Sequence, residues 1–244
     1  MNQMSGTGVP PTMPMSSGPK PFFQVWMDAL TKPSEATFAE LAASPNAKSS
    51  TAYLWVFVGF LIEFFLSFLV PQRALGSMLS QYGIDTGQQV GGGFASTAIR
   101  LVCGAPILAL IGTIFFAIGV VLVQWIAKMF GGRGTSAQLA YAWAAFAAPY
   151  SIVAGVFSLL AAIPFVGLCF SILLFVFSIY IIVLEVIAVK GVNQFGWGAA
   201  LGAVFIPGLV IGLLCACIVG VMIFALGPAI GNAFSTINQS LTAP

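Results

Sequence analysis

GGRGTSAQLAYAWAAFAAPYSIVAGVFSLLAAIPFVG, residues Gly131 to Gly167, is the stretch whose reading decides the fold. It opens with a glycine-rich turn carrying Arg133, then runs from Gln138 to Ala162 without a charged residue. It closes at Ile163-Pro164-Phe165, and a second uncharged run begins at once. An apolar run of roughly 18 or more residues without charges is a transmembrane helix candidate. Two such runs joined by one proline-centred turn make a helical hairpin that crosses a membrane and returns. Ala140, Ala144 and Ala148 recur every fourth residue, so one stripe of the first helix has almost no bulk. In lipid that lets backbones approach closely, which is how spans associate without a hydrophobic driving force. The hairpin reads as the centre of a membrane bundle.

Composition agrees. The 244 residues are 59% hydrophobic and 6% charged, with a mean hydropathy of +1.05. Soluble domains carry about 25% charged residues, so a water-soluble fold is excluded. A formal net charge of +2 is too small to imply nucleic acid as a partner. Cys103, Cys169, Cys215 and Cys217 all lie in apolar runs and lack the spacing of a redox or zinc motif, so each reads as a small apolar side chain. There is no histidine. That removes serine–histidine and cysteine–histidine catalysis and histidine zinc sites together. No catalytic, cofactor-binding or metal site is expected, and the chain reads as a non-enzyme.

Outward from the hairpin, the chain divides into a disordered tail over 1–20, short helices over 21–50, a membrane domain over 51–226 and a short tail over 227–244. The short helices place Phe22, Val25, Trp26, Ala29 and Leu30 on one face and Gln24, Asp28 and Lys32 opposite, with Pro33 between the two pieces. Both are too short and polar to span. An interfacial position, with aromatics at headgroup depth, and packing against the end of the bundle are both open. Spans are expected at about Thr51–Val70, Leu101–Ala127, Gln138–Ile163, Val166–Val189 and Ala199–Leu226. Gly76 to Ser96 reads as the one sizeable loop. In the fifth span Gly198/Gly202 and Gly208/Gly212 have the four-residue spacing of a packing face, and the third and fifth spans are expected to meet through small residues. Such stripes would also serve a homo-oligomer. The fold class is therefore all-α: a polytopic bundle with five transmembrane helices and an amphipathic N-terminal segment.

Lys20, Lys32, Lys48, Lys128, Arg133 and Lys190 fall on the N-terminal side of these spans, and only Arg73 and Arg100 fall opposite. Basic residues mark the cytoplasmic side. That places the N-terminus in the cytoplasm of a multi-pass plasma membrane protein, read as bacterial.

The ordered signals GGRGTSAQLAYAWAAFAAPYSI and Ile-Pro resemble the Yip (Ypt-interacting protein) domain, at Gly131, Gly132, Gly134, Thr135, Pro149, Ile163, Pro164 and Gly167. Tyr180, Gly191 and Pro207 fall where that family has a tyrosine, a glycine and a proline. FFQVWMDALTKPSEATFAEL is similar to the segment before the first span of prokaryotic members. The resemblance implies a non-enzymatic integral membrane protein. Eukaryotic relatives bind lipidated Rab-type GTPases and coat components, whereas prokaryotic members have no agreed biochemical activity.

Two intramembrane carboxyl groups stand out. Glu63 lies near the middle of the first span, where a charge costs about 2.5–3.5 kcal/mol, so it is expected to face protein or water. It reads either as an ion or proton site or as a hydrogen-bonded carboxyl group, with Gln124, Tyr141 or Tyr150 as the expected neighbour. Glu185 lies about 7 Å of helical rise from Lys190 and is expected to pair with Lys128, Arg133 or Lys190. Two functions follow: a membrane scaffold or adaptor with an unidentified protein partner, and a small transporter or channel using Glu63. The scaffold leads, because the sequence has no internal repeat of the kind common in transporters.

Overall fold

The computed structural model describes residues 20–69, 98–161, 163 and 166–242, with backbone alone for 214, 218, 222, 223 and 225–242. The tail over 1–19, the Gly76–Ser96 loop with Arg73, and Pro164 lie outside these residues. The helices are α1 (Phe22–Thr31), α2 (Glu35–Ala43), α3 (Ser49–Leu69), α4 (Ala105–Met129), α5 (Ser136–Ala161), α6 (Gly167–Asn193) and α7 (Trp197–Thr242). One wide π-helical turn, Arg100–Gly104, leads into α4. Pro106 in the first turn of α4 has no N–H for the carbonyl four residues back, and the helix widens just ahead of it. There is no strand among the described residues.

Ser49–Leu69, Arg100–Met129, Ser136–Ala161, Gly167–Asn193 and Trp197–Val221 are each long and apolar enough to cross a membrane. At 1.5 Å per residue the shortest, 21 residues, rises about 32 Å, just over a hydrocarbon thickness of about 30 Å. All-α architecture and five spans are thus those read from the sequence.

The centre is α5. From Leu139 to Phe146 every residue is buried, so this helix is enclosed on all sides over two turns. Its partners are α3 and α6, with α1 and α2 along its first turns. The seam with α3 is a close backbone approach. A Cβ at Gly59 would stand 2.9 Å from the Ala148 carbonyl oxygen, and one at Gly155 2.8 Å from Cα of Glu63. Ser67 and Ser158 continue the line with hydroxyl oxygens 3.3 Å apart. Ala140, Ala144 and Ala148 are all buried. The helix that meets this stripe at Ala148 is α3, whereas α7 packs on α4 and α6. The expected meeting of third and fifth spans is corrected accordingly, because Gly59 gives α3 a backbone surface as close as any on α7.

α7 touches the bundle through its first turns. Ala200 and Ala203 are buried, and a Cβ at Gly202 would lie 3.1 Å from the Phe130 ring. Gly198, Gly208 and Gly212 have nothing within 4 Å of a Cβ. Among the described residues the glycine pairs therefore form no packing face, except at Gly202. The α7 backbone stays helical to Thr242, past the Leu226 limit set by sequence. From Trp197 onward there is no charge, and helical hydrogen bonding is how a backbone in lipid satisfies itself.

Candidate functional site: the glycine turn and the docked helix pair

The turn between α4 and α5 is built by its glycines. Gly131 has φ +84, the left-handed residue that ends a helix without a Cβ penalty. Its N–H donates to Lys128 O (3.0 Å) and that of Gly132 to Ala127 O (2.9 Å), the paired closing bonds of a Schellman motif. A Cβ on Gly132 would fall 2.6 Å from Asn193 Oδ1, and one on Gly134 2.6 Å from Val192 Cγ1. Thr135 then caps α5. Gln138 N donates to Thr135 Oγ1 (3.3 Å) while Gln138 Oε1 accepts from Thr135 N (2.9 Å), a reciprocal capping box.

The glycines leave room for an amide knot. Asn193 Oδ1 accepts from Gly134 N (3.1 Å) and Gln124 Nε2 (2.8 Å). Asn193 Nδ2 donates to Val189 O (3.1 Å) and Gln124 Oε1 (3.3 Å), and Gln124 Nε2 also donates to Gly134 O (2.8 Å). Asn193 and Gln124 are fully buried, so these bonds form away from water, where an unpaired amide is costly. The knot ties the ends of α4, α5 and α6 together. Sequence reasoning missed it. Its signal was two amides inside or at the edge of apolar runs, since a buried amide needs a partner.

On the same end sits the α1–α2 pair. Ser34 caps α2, accepting from Thr37 N at 3.1 Å. Val25 and Ala29 of α1, with Phe38, Leu41 and Ala42 of α2, are buried against α5 and α6. Phe38 packs edge-on to Phe146 with centroids 6.0 Å apart, and Trp26 meets Trp55 at 5.9 Å. Gly191 makes the seat: its Cβ would fall 2.6 Å from Glu35 O and 3.1 Å from Phe38 Cβ. Tyr180 donates its hydroxyl to Leu30 O at 2.6 Å. Lys190 pairs with Glu35 and lies 4.1 Å over the Trp197 ring. Lys20 bridges Asp28 and Glu40, both at 3.0 Å. Hydrogen bonds to Asp28 and then Glu40 hold its amine above the ordinary lysine range. The pair thus packs against the end of the bundle.

The two carboxyl groups keep part of the company that sequence suggested. Glu63 is partly buried in the α3–α5 seam with Tyr150 and Ser151 of α5 near it, whereas Gln124 is committed to the knot. Glu185 makes no ion pair among the described residues, because Glu35 has taken Lys190. No group of three or more metal-ligating side chains occurs among the described residues. Pro149 lies inside α5, which continues through it. At the hairpin, Gly167 N donates to Ile163 O at 2.9 Å, and a Cβ on Gly167 would collide with Ala161 O at 2.2 Å.

Compared with known families, the Yip1 domain matches residues 27–219 of this chain, which takes in the knot, the seam and most of the docked pair. The chain belongs to the Yip1 domain family. No curated protein and no solved structure matches it. In this Yip1 domain the glycines at 131, 132, 134, 167 and 191 each stand at a close approach or a left-handed turn, so their spacing has a steric cause. The protein is a multi-pass membrane protein in contact with lipid.

Proposed function

We propose that this Yip1-domain protein is a non-enzymatic membrane scaffold or adaptor of a bacterial plasma membrane. Its N-terminus faces the cytoplasm, and it recruits a protein partner or shapes the bilayer through the α1–α2 end. The observation that carries this reading is the docked pair. Glu35 and the Leu30 carbonyl tie it to the bundle through Lys190 and Tyr180, while Phe22, Phe23 and Met27 are left exposed on the outer side. A surface of that kind serves contact rather than chemistry. The excess of basic residues on the same end supports the orientation. A reporter in the Gly131–Gly134 turn should lie inside the cell and one after Pro244 outside.

The test of function uses purified protein with Glu63→Gln beside wild type, in a mild-detergent pull-down and in proteoliposomes. Gln keeps the shape and hydrogen-bonding capacity of a neutral carboxyl group. For a scaffold, both forms recover the same partner and neither conducts protons or cations above empty liposomes. A wild-type flux that Glu63→Gln abolishes would establish the transporter instead.

A further inference from the structure

The depth of the α1–α2 turn separates a helix lying on the membrane from one lying in it. In α6 the uncharged stretch runs from Gly167 to Leu184 and rises about 27 Å, close to a full hydrocarbon thickness. Tyr180 lies one turn inside that stretch, and its hydroxyl holds the carbonyl of Leu30. The C-terminal end of α1 therefore sits at the level of hydrocarbon.

Its backbone is equipped for that position. The last carbonyls of a helix have no partner within it and ordinarily turn to water. Among the last four carbonyls of α1, that of Asp28 accepts from Lys32 N (3.0 Å) and that of Leu30 from the Tyr180 hydroxyl, and just beyond the helix Thr37 Oγ1 donates to Lys32 O (2.9 Å). Two of these three donors are side chains, which is a way to end a helix where water is scarce. Asp28, 15% exposed, is matched by Lys20 on one side and Lys32 on the other.

The side facing away from the bundle is apolar as well. Phe22, Phe23 and Met27 are 57%, 63% and 43% exposed, while Val25 and Ala29 on the inner side are buried. An exposed aromatic row of this kind, beside the exposed Gln24, is unsuited to standing wholly in water. At the same end of the bundle Trp125 and Trp197 are exposed, the placing of an interfacial aromatic belt.

We propose that α1 and the turn into α2 form a half-membrane wedge, seated in the leaflet on the basic side, with Phe22, Phe23 and Met27 against its acyl chains. The partner of this surface is that leaflet's lipid. The inference stands apart from the adaptor reading, since a transporter could carry the same wedge.

The test is a depth measurement on the full chain in phosphatidylcholine–phosphatidylglycerol vesicles, with Cys103, Cys169, Cys215 and Cys217 replaced by alanine. A spin label is placed singly through Phe23→Cys, Met27→Cys, Phe115→Cys on the outer side of α4, or Glu40→Cys. Collisions with oxygen and with a water-soluble nickel chelate are compared. Labels at 23 and 27 should shift to the oxygen-dominated ratio of the label at 115. The chelate-dominated ratio of the label at 40 would overturn the proposal. So would loss of collisions with both reagents, which would mean that protein, such as a second copy of the chain, covers the row. Phe22→Cys gives a replacement position should Phe23→Cys fail to fold.

Discussion

α5 and α7 are similar as sequences and opposite as structures. Both are long, uncharged and apolar, and both carry small residues four apart: Ala140/Ala144/Ala148 in one, Gly208/Gly212 in the other. The first set is completely buried, and Ala148 meets the backbone of α3. The second meets open space, and none of the most apolar stretch of α7 is buried within the protein. Small-residue spacing permits close approach, but a contact forms only where another helix brings its own backbone to the same depth. Gly59 and Gly155 do this for the α3–α5 seam.

Substitution at matched glycines should break the comparison most sharply. At Gly59 the obstacle is the Ala148 backbone, which cannot rotate away, so Gly59→Leu should destabilise detergent-solubilised protein by about 3 kcal/mol or more. Thermal unfolding followed by circular dichroism measures this. Asn193→Ala comes next. It strips the knot of its centre and leaves buried donors and acceptors of Gln124 and Gly134 unpaired, for a loss of about 2–3 kcal/mol in the same assay. A smaller loss, near that of a surface change, would mean that α5 is held by its seam alone.

Gly202 sharpens the contrast within α7. A side chain there meets the Phe130 ring, which is 46% exposed and can turn aside, so Gly202→Val should cost about 1 kcal/mol. Gly212→Leu should change stability by less than about 0.5 kcal/mol, the scale of substitutions away from packed sites. If Gly212→Leu proved as harmful as Gly59→Leu, α7 would have a protein partner along that side.

Several features were legible because they depend on local chemistry. The hairpin, the five spans and the Gly131 turn each follow from residues near one another in the chain. So does the break at Pro33. What was not legible joins distant residues: Gln124 with Asn193, Tyr180 with Leu30, Lys190 with Glu35. Glu185 shows why. Nearness to the charged end of the helix made Lys128, Arg133 or Lys190 its expected partner, yet the docking of α2 at Gly191 gives Lys190 to Glu35.

Run length and the near-absence of charge were enough to make this chain a helical membrane protein, because they leave a backbone in lipid one economical solution, and the ordered glycine and proline motifs carried its likeness to the Yip family. That the hairpin stands at the centre was also legible, but which helix meets its small residues and where the short helix pair lodges emerge only from the folded bundle. In lipid, apolar side chains gain little by choosing protein over acyl chains. Those choices therefore rest on steric fit and on a few buried hydrogen bonds between residues far apart in sequence, whose partners spacing alone does not name.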